Sequence, residues 1–107
     1  MTVKRIWHGW TTPENADAYQ ELLHKEVFPG IESKRIDGYR GVELFRMDQG
    51  AEVEFMTIMT FDAIENVKEF QGKDYEKSYV PRNAQKILKR WDEKAVHFNS
   101  VEKREYF

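Results

Sequence analysis

Hydrophobic and polar positions alternate from Val3 to Trp10, mixing β-branched and aromatic residues with polar ones, which predicts a first strand. Thr11 and Thr12 then offer a helix N-cap, Pro13 fits the first helical position and Glu14 suits the positive end of the helix dipole. Ala16, Tyr19, Leu22, Leu23 and Val27 recur at helical spacing and form one apolar stripe, and Pro29-Gly30 is the expected end of this helix. Residues 31–38 lack a sustained period and close on Asp37-Gly38, as a connecting loop does. Arg40 to Asp48 and Ala51 to Phe61 read as two strands joined around Gln49-Gly50, a β-hairpin. Asp62 is placed to cap a second helix, with Glu65 three residues on, a stripe of Ile64, Val67 and Phe70, and Gly72 as its stop. A polar segment carrying Tyr75 and Tyr79 leads to Pro81 and a third helical stripe of Ala84, Ile87, Leu88 and Trp91. Glu93 to Val101 alternates again and predicts the last strand.

The order is β-α-β-β-α-β with the second crossover split into two helical pieces, the ferredoxin-like arrangement. Right-handed crossovers place the first strand in the middle of a four-stranded antiparallel sheet, between the third and the fourth, with helices on one face only. The third strand carries Val53, Phe55, Met59 and Phe61 on one side and Met56 and Ile58 on the other, so it is apolar on both. The face without helices therefore needs a cover, and a second copy related by a two-fold axis is the commonest one. Tyr106-Phe107 at the end of a charged tail is a further segment for a partner subunit to bury.

Composition narrows the function classes. The 107 residues are expected to form one domain, residues 1–107. With 17 basic and 19 acidic residues interspersed, the chain has no basic field for nucleic acid, and the pairs Lys4-Arg5, Lys34-Arg35 and Lys89-Arg90 each have acidic neighbours. A mean hydropathy of -0.78 and the lack of a long apolar run exclude a transmembrane helix. The absence of cysteine excludes disulfides, thiol nucleophiles and thiolate metal sites. The start, MTVKRIWHGW, does not resemble a signal peptide, so cytoplasmic residence is expected. No phosphate loop, nucleophile elbow or paired-carboxylate motif is present.

With the third strand and its helix, VEFMTIMTFDAIENVKEF, and the segment FQGKDYEKSYVP followed by a strand containing AVHF, the chain resembles the antibiotic biosynthesis monooxygenase-like family of the dimeric α+β barrel superfamily. Members of that family often carry a Trp closing the third strand and a His nine residues later, positions that here are Phe61 and Phe70. Haem-degrading members take a His from the next segment, where this chain has Tyr75 and Tyr79, so haem is not expected. The resemblance implies a homodimer and a cofactor-independent oxygenase, without metal, acting on a small aromatic such as a quinol or anthrone in a pocket between sheet and helices. The superfamily also holds isomerases, dismutases and proteins of no known activity, because a fold hosts many functions.

Oxygenation of that kind needs a base to deprotonate a phenol or enol and polar groups to hold the anion. The candidate bases are His97 on the last strand and His8 on the first, neighbours in the expected sheet, with His97 preferred because Phe98 and Asn99 follow it. Both also suit sheet positions bonded to backbone or to a carboxylate. Glu54, alone among apolar residues, must pair or shift its pKa, with Arg5, Arg46 or a histidine as candidate partners. Tyr75 and Tyr79, four apart, are candidates to hydrogen-bond and stack on a ligand, together with Phe98, Asn99 and Trp10. Trp7 and Trp10 have opposite parity, so only one of them faces any pocket, and His24 beside Lys25 and Glu26 is expected in solvent. Two other functions compete with oxygenation: a non-catalytic binder of small apolar ligands, and a structural dimer without a pocket.

Overall fold

The computed structural model describes residues 2–107. Its elements are β1 (Val3–Thr11), α1 (Pro13–Leu22), a π-helical turn (Leu23–Val27), α2 (Phe28–Glu32), β2 (Tyr39–Asp48), β3 (Val53–Phe61), α3 (Ile64–Gln71), α4 (Arg82–Gln85), β4 (Arg90–Trp91) and β5 (Val96–Asn99). The sheet runs β2-β3-β1-β4, with β5 also on β1, and every pairing is antiparallel. The first strand is thus central, as the right-handed crossovers require.

Strand parity divides the molecule. Val3, Arg5, Trp7, Gly9 and Thr11 of β1 are buried on the helix side, and Lys4, Ile6, His8 and Trp10 are half-buried on the other. In β3, Val53, Phe55, Met59 and Phe61 join the buried side. Ala16, Tyr19, Leu22, Leu23, Val27 and Ile31 close over them from the first helical segment, and Val67 and Phe70 do so from α3. The Tyr19 and Phe55 rings meet edge to face at 4.9 Å, the geometry that ring quadrupoles favour.

Four details of the sequence-based expectation are corrected. Thr12 caps α1 as expected, accepting from the Asn15 N–H, but Pro29-Gly30 does not end the helix. A π turn precedes Pro29, with the Phe28 N–H bonded to the Leu23 carbonyl, and this wider spacing lets a proline without an N–H be followed by another turn. Asp62 does not cap α3. It pairs with Arg40, and the Asn66 side chain accepts from the Ala63 N–H instead.

The third helix is only Arg82–Gln85, because the Lys89 N–H bonds to the Trp10 carbonyl and draws Arg90 and Trp91 into the sheet. The last strand is shorter than residues 93–101 and is interrupted. Asp92 N–H still bonds to the His8 carbonyl of β1, and from Glu93 to Ala95 the chain pairs with the preceding segment, with Ser78 N–H on the Glu93 carbonyl and Ala95 N–H on the Glu76 carbonyl. That interruption holds the Tyr75–Ser78 segment against the end of the sheet and so shapes the site.

Candidate functional site

A cavity of about 40 Å³ lies between the sheet and the first helical segment. β1 contributes Arg5 and Trp7, β3 contributes Thr57 and Met59, α1 contributes Tyr19, and the coil Tyr79–Pro81 closes the far side. Its walls are otherwise apolar, from residues such as Leu23, Val27, Phe28 and Ile31. Burial pushes the Tyr19 phenol well above its ordinary range, so Tyr19 stays protonated. On the other side of Tyr79–Pro81 lies an open cleft of about 820 Å³ whose floor includes Trp91 and Gln85. The same three residues therefore wall both the cavity and the open cleft.

Arg5 is the cation of this cavity, and only 3% of its surface is exposed. Its Nη1 donates to the Tyr75 carbonyl and its Nη2 to the Lys77 carbonyl at 2.8 Å, so it straps the 75–77 segment to the central strand. Its guanidinium also lies 5.6 Å from the centre of the Phe70 ring. Nη1 is 3.0 Å from His97 Nε2. A guanidinium has only donors, so Nε2 must accept, and the His97 proton resides on Nδ1. Burial lowers the His97 pKa below 6.5, and the neighbouring Arg5 charge lowers it further. Burial also brings Arg5 down to about 10, which leaves it charged at neutral pH. The Tyr75 ring meets His97 at 5.3 Å, edge to face.

The other predicted residues lie elsewhere. His8 Nδ1 and Glu54 Oε2 are 2.7 Å apart on the sheet face that carries no helices, and Gln49 donates to the other Glu54 oxygen at 3.1 Å. Trp10 stacks beside His8 at 6.1 Å and carries the Arg90 guanidinium over its ring at 3.9 Å. Phe98 is on the same open face and exposed, whereas Asn99 pairs with Val3 at the other parity and is also exposed. The structure therefore brings His8, Glu54 and Trp10 together on one face and His97 and Tyr75 on the other, with Tyr79 in the cavity wall. His8 and His97 do not converge. Among the described residues no group of three or more His, Asp or Glu is arranged to hold a metal ion.

Of the cavity's lining residues, Tyr79 alone is among the sequence-derived candidates, and Trp7 and Arg5 stand outside them. Trp7 was legible only as one of two tryptophans of opposite parity. Arg5 carried a stronger signal: it is the charged residue in the inward series Val3, Arg5, Trp7. Of the candidate partners for Glu54, Arg5 lies on the opposite face, Arg46 is taken by Asp17 and Asp48, and a histidine, His8, makes the pair.

No protein-family model matches the chain, and no curated protein matches it in sequence. Solved structures do. A candidate antibiotic biosynthesis monooxygenase from Bacillus cereus superposes with a TM-score of 0.69 at 9% identity, over 100% of this chain and 98% of that one. A Mycobacterium tuberculosis protein gives 0.60 at 16% identity, over 98% and 100%. An ethyl tert-butyl ether d family protein from Bacillus halodurans gives 0.60 at 20% identity, over 94% and 100%. The chain shares its α+β fold, with an antiparallel sheet and helices on one face, with these proteins along almost its whole length.

Proposed function

We propose that this chain is a divergent antibiotic biosynthesis monooxygenase-like protein that oxidises a small aromatic substrate with molecular oxygen and no cofactor. The observation that carries the reading is the cavity between sheet and helices, apolar on most sides and provided with one buried cation and the Tyr79 ring. Its support is the shared fold, since a candidate monooxygenase superposes over the whole chain. An anthrone methylene gives the simplest balance. The substrate loses a proton to become an enolate, which reduces O₂; one oxygen atom becomes the new carbonyl and the other leaves as water with both methylene hydrogens. His97 is the assigned base, and it takes that proton at Nε2 once the Arg5 N–H now bound there turns to the substrate anion.

A cavity of about 40 Å³ holds little more than water, whereas a site for a benzene-sized molecule measures on the order of 150 Å³. The substrate therefore enters by displacing Tyr79–Pro81, which merges the cavity with the open cleft beside it. The second part of the reading is a homodimer through the open sheet face. Phe45, Met47, Val96 and Phe98 are exposed there beside Ile6, Met56 and Ile58, a patch that a two-fold partner covers.

Oxygen uptake by metal-free protein with a panel of anthrones and quinols tests the activity. Turnover to the quinone with one O₂ consumed per substrate, reduced at least tenfold in His97→Ala, is the expected result. A second reading, a non-catalytic binder, draws on the absence of a carboxylate from the cavity wall and on the engaged His97 Nε2. Binding of the panel without any oxygen uptake selects it.

A further inference from the structure

Arg5 is almost fully buried, yet its hydrogen bonds run to two carbonyls and one imidazole nitrogen, and it forms no ion pair among the described residues. By contrast even the exposed Arg46, whose guanidinium lies 5.7 Å from the centre of the Phe55 ring, is paired, with Asp17 at 2.7 Å and Asp48 at 2.9 Å. A buried cation without a counter-ion is costly, and proteins ordinarily pair it. The bonds in place also leave the guanidinium underused, since they engage Nη1 and Nη2 but not Nε, whereas the group presents five N–H donors in a planar fork. Arg5 is at the same time a wall of the cavity, with the Tyr79 ring and the Trp7 indole beside it.

We infer that the ligand of this cavity carries a planar oxyanion, a carboxylate or a group of the same shape and charge, and that Arg5 supplies its missing counter-ion. The inference rests on the cavity being the binding site, and it adds the charge class of what binds there. The apolar remainder of the ligand lies against Trp7, Met59 and Tyr79, so a compact aromatic acid fits the lining better than a free inorganic anion. Binding satisfies the unused donors and neutralises a charge that the protein leaves uncompensated. It also relieves His97, whose Nε2 now accepts from the same guanidinium.

Benzoate and benzamide share size and shape and differ in charge, so calorimetric titration of the full chain with each tests the inference directly. The Trp7 indole N–H, which donates to the Asp92 carbonyl at 2.8 Å, reports by NMR whether binding reaches the cavity. Benzoate is expected to bind at least tenfold more tightly than benzamide and to move the Trp7 resonance. The preference is expected to vanish in Arg5→Gln and to persist, weakened, in Arg5→Lys. Equal binding of both compounds with a Trp7 shift overturns the charge assignment while the cavity stands as a site. Absence of any Trp7 shift overturns the cavity reading and the inference with it. If Arg5→Gln does not fold, the wild-type ratio of the two affinities decides the matter.

Discussion

His97 and Arg5 illustrate how much a single contact decides. A histidine whose Nε2 accepts from a permanent cation is held neutral, so its pKa is expected below 6.5 and is expected to rise in Arg5→Gln, read by NMR titration of the ring protons. The stability consequence has a definite sign. Between the lowered native value and 6.5 the unfolded chain binds the proton and the native chain does not, so stability falls as pH drops through that window and is flat above it for this group. Denaturant midpoints across the window check the slope, which is expected to flatten in His97→Gln. Gly38 sets a purely steric limit. Its φ of 76° suits glycine, and an added Cβ sits 2.4 Å from the Asn66 side chain that caps α3. Gly38→Ala is expected to cost about 2 kcal/mol in urea unfolding, and a neutral result contradicts the turn geometry. Neither contact was legible beforehand. Parity puts Arg5 on one side of its strand, but which side faces the helices, and what stands opposite, depends on pairings between residues more than ninety positions apart in chain, such as Arg5 with His97.

Elements whose signals are local were legible, and those decided by tertiary contacts were not. The sequence TTPE marked the start of α1 because the cap, the proline and the acidic first turn all act within four residues. Thr12→Ala is expected to lose about 1 kcal/mol, measured by thermal or urea unfolding followed by circular dichroism. The far end of the same helix follows a different logic. Pro29-Gly30 is a strong local stop, yet Val27 and Ile31 on either side of it are both buried on the sheet, and packing of that stripe sustains the extra turns through a π turn. The Ala84, Ile87, Leu88 and Trp91 spacing imitates a helix, but Arg90 and Trp91 have a strand position open beside β1 and take it. The interruption at Glu93–Ala95 follows from the same competition, since Asp92 still bonds to His8 of β1 while Glu93 and Ala95 bond to the Glu76–Ser78 segment.

For the whole molecule, the sheet has one covered and one open face, and each is assigned its own task. The apolar positions Met56 and Ile58 announced the open face in the sequence, and Phe45, Met47, Val96 and Phe98 enlarge it. Sedimentation at micromolar concentration is expected to show a dimer, and Met56→Glu with Ile58→Lys is expected to weaken it at least 100-fold with the circular dichroism spectrum unchanged. A monomer at all concentrations removes the explanation for that face. Of the residues singled out in the sequence, Tyr79 lines the cavity, His97 and the Tyr75 carbonyl lie against its Arg5, and His8 and Glu54 pair with each other on the opposite sheet face, because membership is set by strand register that the sequence does not display. The tryptophans test the division itself, because Trp7 lines the cavity, Trp91 floors the open cleft and Trp10 lies on the open sheet face. Indole N–H resonances recorded during titration with an anthrone give the most direct measurement. The expectation is that Trp7 and Trp91 move at ligand saturation while Trp10 stays in place. Movement of Trp10 with Trp7 unchanged places the ligand on the other face and contradicts it.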